Sequence, residues 1–214
     1  MNERRPSPWL SIPAADYEGH MGSPGVRQLE FLGGVFGALI AEFEPAAVVV
    51  LGCATGNGFE RVRPERVRRL VGLDINREYL DLCRERCAKT IPGLELTCED
   101  IVSFELEPRS MDFIHAALFL EYVDPAIVIE KASRWLKSRG IFATVLQLPS
   151  ESCGTVSDTG FTSLKALEPV ITLVEPGHLE RILQRYGFSR VKSARETLGS
   201  GKEFFVGVYR LEAS

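Results

Sequence analysis

Ala46-Ala47-Val48-Val49-Val50-Leu51 runs directly into Gly52-Cys53-Ala54-Thr55-Gly56-Asn57-Gly58, and this junction decides the fold class. Six apolar residues without alternation fit a strand covered on both faces, as in a parallel sheet between helical layers. A glycine-rich turn at the carboxyl end of such a strand lets backbone N–H groups approach a ligand closely. Upstream, Leu29, Leu32, Phe36, Leu39, Ile40 and Phe43 recur at helical spacing, and Pro45 ends the stripe. Gly33, Gly34 and Gly37 weaken that helix by roughly 1 kcal/mol each relative to alanine. Residues 1–23 carry Pro6, Pro8 and Pro13, with Pro24 just beyond, and read as irregular.

Downstream the chain alternates. Leu70–Leu73 is a short apolar strand ending in Asp74, and 77–89 is a helix with Tyr79, Leu82, Cys83 and Arg86 at helical spacing. Leu94–Cys98 is strand-like and runs into Glu99-Asp100. Met111–Leu118 is a further strand, Ala126–Leu136 a helix closed by Gly140, and Ile141–Leu146 another strand. Strands separated by helices predict a parallel sheet with crossovers. The end differs: a helix over Pro176–Tyr186 stops at Gly187, and Phe188–Ala194 with Glu203–Leu211 form a hairpin. The expected architecture is therefore α/β, a doubly wound, mostly parallel seven-stranded sheet with an antiparallel last strand. Residues 24–214 form the domain, and 1–23 an N-terminal segment that could serve as a lid.

The turn does not read as a phosphate cradle of the usual kinds. G-x-G-x-x-G fails in both registers, because Ala54 and Arg61 stand where glycines are needed, and a P-loop would end in Gly-Lys-Ser/Thr rather than Phe59-Glu60. The stretch Val48–Gly58 does resemble the first motif of class I S-adenosylmethionine-dependent methyltransferases. The resemblance continues through Asp74 after the second strand, Glu99-Asp100-Ile101 after the third, Met111–Asp124 at the fourth and the Leu136–Gly140 turn before the fifth. It covers residues 25–147 and the closing hairpin, and is similar to the small-molecule, type 11-like branch.

That resemblance implies a Rossmann-like fold and S-adenosylmethionine as cofactor, with S-adenosylhomocysteine as product. It implies contacts from Gly52, Cys53, Ala54, Gly56 and Gly58 in the turn, and from Ala117 in the fourth strand. Asp74, followed by Ile75, would hold the ribose hydroxyls; Asp100 or its neighbour Glu99 would meet the adenine amino group, and Ile101 would lie against the ring. Two departures matter. Val50 stands where the family often has an acid, and Ala54 replaces the middle glycine, a methyl that a negative φ would accommodate. For Asp74 the competing reading is a helix N-cap.

Methyl transfer from a sulfonium needs alignment and desolvation more than a catalytic constellation. The chain has Ala116-Ala117-Leu118-Phe119 where base and amide methylases carry an Asn/Asp-Pro-Pro-Tyr-like motif, so a small-molecule acceptor is the leading expectation. Candidates near it are Tyr17 and His20 in the N-terminal segment, His20 as a general base near pH 7, and Glu121-Tyr122 after the fourth strand. Glu151 and Phe161 are candidates for the acceptor pocket. His115 inside an apolar strand reads as a core histidine, His178 as a surface or capping residue, and Lys202 as exposed or paired with an acidic substrate.

Composition sets the limits. The 214 residues are 45% hydrophobic and 25% charged, with net charge −4, which does not announce a nucleic-acid binder. The arginine-rich run Glu60–Arg69 lacks interleaved aromatics and reads as a solvated connector, leaving an RNA methyltransferase as the alternative enzyme. A catalytically silent binding module is the alternative outside enzymes. No apolar run reaches membrane-spanning length and no secretory signal is visible, so the expected setting is the cytoplasm. Five cysteines without a C-x-x-C pair, and no histidine near Cys83 and Cys87, predict buried thiols and no metal site. The oligomeric state is not legible.

Overall fold

A computed structural model describes residues 7–150 and 154–213, and the candidate Glu151 lies outside them. In chain order the elements are α1 (Ala14–Gly22), α2 (Gln28–Phe43), β1 (Ala47–Leu51), β2 (Arg69–Asp74), α3 (Arg77–Cys87), β3 (Leu94–Cys98) and β4 (Met111–Ala117). There follow α4 (Pro125–Trp135), β5 (Leu136–Gln147), α5 (Pro176–Arg185), β6 (Phe188–Thr197) and β7 (Glu203–Leu211). The strands form one sheet in the order β3-β2-β1-β4-β5-β7-β6. β1 lies parallel between β2 and β4, with Val49 paired to Val71 and Ile114, while β7 runs antiparallel between β5 and β6. This is the doubly wound sheet expected from the sequence.

The apolar run of β1 is explained by its two covered faces. Val48 and Val50 pack with Phe36, Leu39 and Ile40 of α2 and with Leu80 and Cys83 of α3. Val49 and Leu51 point the other way, into a layer built from Val128, Ile129 and Trp135 of α4 and Leu179 and Leu183 of α5. Period-two alternation along a strand supplies both contacts.

Helix starts are chemically marked. The Asn76 side chain accepts from the amides of Glu78 and Tyr79 at α3, Asp124 from Ala126 at α4, and Glu175 from Gly177 and His178 at α5. Pro125 and Pro176 occupy first-turn positions, where a missing N–H costs nothing. Each cap stabilises its helix by about 1 kcal/mol. Asn76 rather than Asp74 caps α3, so Asp74 is available for other work.

Two expectations need correction. Residues 1–23 are not irregular throughout: Pro8–Ser11 is a 3-10 helix and α1 follows Pro13, with Ala14, Tyr17, His20 and Met21 buried. Pro8 and Pro13 precede this helix and Pro24 follows it, so none of the three breaks it. Between β1 and β2 runs the connector expected from the sequence, with only a 3-10 helix, Phe59–Arg61. The charged run with Pro64 offers only Val62 and Val67 to the core, too little for an amphipathic helix. Gly140 does not close α4, because β5 begins at Leu136. Lys137–Gly140 bulge out instead, with Arg139 at φ 65° and a register shift between Met111 and Phe113. β6 is the sheet's edge, exposed from Ser189 onward.

Candidate functional site

The turn after β1 is held by the neighbouring strand. The amides of Gly52 and Cys53 both donate to the Leu73 carbonyl, at 2.8 and 3.0 Å. Gly52 sits at φ 66°, and a Cβ there would meet the Phe119 ring at 2.7 Å, so both backbone and space require glycine. Ala54 is left-handed as well, at φ 46°, against the expected negative φ. It is held there by its amide, which donates to Asp74 Oδ2 at 2.9 Å. That hydrogen bond to a carboxylate offsets a strain of about 1 kcal/mol.

Asp74 Oδ1 accepts from the Asn76 amide at 2.9 Å, so each carboxylate oxygen takes one backbone donor. Burial raises the Asp74 carboxyl's pKa, and the amides of Asn76, Ala54 and Ile75 oppose that shift. A carboxylate offers about four lone-pair sites, so these amides do not exhaust its capacity to accept.

A cavity opens at this end of the sheet. Its lining includes Gly52 and Ala54 of the turn, Asp74 and Ile75 after β2, Glu99, Asp100 and Ile101 after β3, and Ala117 at the end of β4. Ile101 is buried in the core, whereas Asp100 is exposed and accepts from the Val102 amide at 2.8 Å. Cys53, Gly56 and Gly58 are not on this wall. Cys53 is buried, with its sulfur against Gly72; Gly56 packs on Cys83 and Cys87, and Gly58 on Gly33 and Phe36. They shape the turn from behind.

The opposite wall is built by α1, the loop after β4 and the segment after β5. Tyr17, His20 and Glu121 all line the cavity. α1 is pinned in place by polar contacts along its length. Glu18 accepts from Thr55 Oγ1 of the glycine turn at 2.6 Å and from both terminal nitrogens of Arg86 in α3. The Arg86 guanidinium holds the Glu18 carboxyl below its usual range. Tyr79 Oη donates to the Ile12 carbonyl at 2.9 Å, and Asn76 Nδ2 to that of Trp9 at 2.8 Å. His20 Nδ1 lies 2.7 Å from Thr159 Oγ1; burial, then the charge of Lys202, lower its pKa and keep it neutral near pH 7.

Glu121 is 2% exposed, and its Oε1 accepts from the Gln147 amide at 2.8 Å while its Oε2 is buried without a partner. Burial pushes this carboxyl up to about 7. Tyr17 and Tyr122 are pushed up, chiefly by burial, and stay neutral phenols.

Lys202 is neither exposed nor on a loop tip, but 2% exposed, lining the cavity and donating to the Thr155 carbonyl at 2.8 Å. Phe161 is not on the lining; its ring covers Gly19 of α1. Trp9, Gln28, Tyr79 and Gln147 also line the cavity and were not read from the sequence as its walls. The only local signal was Gln147 itself, a polar residue ending the apolar run of β5.

Other candidates fall elsewhere. His115 packs between Phe36 and Phe113, away from the cavity, with its pKa pushed down by burial to about 4. His178 stands in the first turn of α5, where its amide is capped by Glu175. Of the arginines in 60–69, Arg61, Arg66 and Arg69 pair with Glu60, Glu44 and Glu95. Among the described residues no three His, Cys, Asp or Glu side chains are grouped to hold a metal ion, and no helix is long and apolar enough to cross a membrane.

Comparisons with known proteins agree with this architecture. The family profile described as "Methyltransferase domain" matches residues 49–144. No curated protein sequence matches the chain. Among solved structures, the N-methyltransferase NodS from Bradyrhizobium japonicum WM9, in complex with S-adenosylhomocysteine, is similar with 14% identity and a TM-score of 0.67, covering 89% of each chain. An S-adenosylmethionine-dependent methyltransferase from Mesorhizobium loti has 18% identity and a TM-score of 0.65, covering 83% of this chain and 96% of its own. The 4+2 cyclase SpnF is similar at 14% and 0.66, covering 84% and 81%. At these identities the likeness is one of fold, and the cyclase marks the range of reactions printed for it. Residues 49–144 thus match a methyltransferase-domain profile, and the chain carries the seven-stranded fold seen in S-adenosylmethionine-dependent methyltransferases.

Proposed function

We propose that the chain is an S-adenosylmethionine-dependent methyltransferase acting on a small-molecule acceptor. The observation that carries this reading is the single cavity shared by Gly52, Ala54, Asp74, Asp100 and Ile101 on one wall and Tyr17, His20 and Glu121 on the other. When bound, the cofactor supplies a methyl group on a sulfonium, which needs no protein nucleophile. Asp74 takes the ribose hydroxyls on its free lone pairs, Asp100 the adenine amino group, and Ile75 and Ile101 flank the ring. Gly52 lets the backbone come close to the methionine part, next to Ala117. Cys53, Gly56 and Gly58 act indirectly, by fixing the turn.

Within the N-terminal segment 1–23, residues 7–23 serve as the lid over the domain of residues 24–214, with Glu18 as its latch to the turn and to α3. The lid excludes water and limits the acceptor to a small molecule; a polymer would need a groove where α1 lies. His20, neutral near pH 7, and Glu121 are the available proton acceptors, and Tyr17 lines the path between them and Asp74. The internal pairing of Arg61, Arg66 and Arg69 argues against an RNA acceptor. A reducing, cytoplasmic setting suits the buried thiols of Cys53, Cys83 and Cys87.

Calorimetric titration with S-adenosylhomocysteine, with NAD as control, tests the reading. Saturable binding of the first alone is expected. A folded, ligand-free sample that binds neither would instead favour a silent module, for which Val50 and the left-handed Ala54 are the chain's own support.

A further inference from the structure

Among the described residues that line the cavity, Glu121 is the one with a fully buried side-chain oxygen that has no hydrogen-bond partner. Its Oε1 is engaged by the Gln147 amide, whereas Oε2 is fully buried and has no partner. A buried carboxyl oxygen without a donor costs free energy that a ligand carrying a donor would recover.

The carboxyl's place in the sheet says which ligand that is. Gln147 ends β5, two strands away from β1 and its turn in the order β1-β4-β5. At a strand spacing of about 4.8 Å this sets Glu121 roughly 10 Å from the turn, past the methionine end of a ligand seated on Asp74 and Gly52. Beside it stand aromatic rings. Trp9 meets Tyr122 edge to face with centroids 5.2 Å apart and Tyr17 at 6.1 Å, and all three line the same cavity. Leu32, Leu164, Leu167 and Ile171 add apolar surface to the wall, while Lys202 is turned to Gln147 and the Thr155 carbonyl. Aromatic faces together with a carboxylate suit a cationic nitrogen on a flat apolar body, and exclude an acidic group beside Glu121.

We infer that the acceptor is a primary or secondary amine on a flat, mostly apolar body, its nitrogen held by Glu121 Oε2 across the cavity from the glycine turn. The inference rests on the methyl-transfer reading above. The amine arrives as an ammonium and passes one proton to the Glu121 carboxylate, which leaves a neutral nitrogen with its lone pair toward the donor. The nitrogen–carbon bond forms as the donor's carbon–sulfur bond breaks with its electron pair left on sulfur. The product is a methylammonium, and both it and the Glu121 proton are released to solvent. One methyl moves, the sulfonium's charge passes to nitrogen, and no oxidant or reductant is needed.

The test is calorimetric titration of the full chain with 2-phenylethylamine and with its neutral counterpart 2-phenylethanol, in wild type and in Glu121→Gln. The amine is expected to bind wild type at least ten-fold tighter than the alcohol, and Glu121→Gln to erase that difference while S-adenosylhomocysteine affinity stays unchanged. Equal affinities for amine and alcohol in wild type would overturn the inference. So would a variant that loses S-adenosylhomocysteine but keeps the amine, because Glu121 would then hold the cofactor's amino group. Failure of wild type to bind S-adenosylhomocysteine would instead sink the methyltransferase reading. Should the variant fail to fold, infrared spectra of wild type decide: addition of 2-phenylethylamine should remove the band of a protonated buried carboxylic acid, and a band that persists refutes the inference.

Discussion

Replacing Glu121 by glutamine should change how stability depends on pH, and the size of the change follows from the site. The carboxyl sits at about 7 in the folded chain against 4.5 when exposed, because burial penalises its charged form and outweighs the backbone amides of Gln147 and Glu121 that oppose it. The folded state therefore binds this proton more tightly than the unfolded state does. Below about pH 4.5 both states are protonated and nothing is lost. As pH rises from there through 7, the unfolded chain ionises first and wild-type stability falls. At about 1.4 kcal/mol per factor of ten in proton affinity, the full loss is about 3 kcal/mol, complete near pH 8. Glutamine is neutral throughout and its side-chain oxygen still accepts from the Gln147 amide, so the variant escapes the loss. The neighbouring Tyr17 and Tyr122 phenols stay neutral over this range. The histidines His20 and His115 titrate in both proteins and cancel in the difference. Urea unfolding of both proteins at half-unit steps from pH 4.5 to 8.5 reads the quantity directly. The stability of Glu121→Gln minus that of wild type should rise by about 3 kcal/mol across the series; a flat difference would refute the burial argument.

Other outcomes are equally open to measurement. Asp74→Ala should weaken S-adenosylhomocysteine binding by ~1.5–3 kcal/mol in calorimetry, since charge-assisted hydrogen bonds to the ribose are lost; an unchanged affinity would remove Asp74 from the site. Ala54→Gly should raise stability by about 1 kcal/mol in urea unfolding, because glycine adopts φ 46° without strain. A loss of stability would mean that the Ala54 methyl packs more favourably than its backbone is strained. Glu18→Gln should speed amide hydrogen exchange in 14–22 at least several-fold and leave the β-strands unaffected, because only the latch to Thr55 and Arg86 is weakened. Equal protection of α1 in both proteins would show that its apolar face alone holds it down.

What could be read in the sequence was what local chemistry decides. The run Val48–Leu51, the glycines of the turn and the acid ending β2 each carry their meaning within a few residues, and the sheet followed from their order. α1 did not, because its stripe of Ala14, Tyr17, His20 and Met21 has meaning only against distant partners such as Leu164, Leu167 and Phe204. The prolines around it suggested a broken chain. Lys202 was ambiguous for a similar reason: preceded by Gly199-Ser200-Gly201 it could be simply exposed, yet the hairpin folds it back over Gln147 and Thr155. Nothing near Ala54 announces a left-handed backbone; the cause is a carboxylate twenty residues away. Gln28 and Gln147 look like ordinary surface amides until the fold encloses them.

The outer edge of the sheet has a consequence for the chain's behaviour at high concentration. β6 leaves one row of backbone donors and acceptors without a neighbouring strand, an invitation for another chain to extend the ladder. Arg190, Lys192 and Arg195 lie along it, and the register breaks between Arg190 and Lys192. A second copy docking edge to edge would bring cation against cation across a spacing of about 4.8 Å, over a strand too irregular to zip. The edge thus acts as a terminator. Neutralising these three side chains would remove that charge from the edge and leave only the break in register to discourage a further strand.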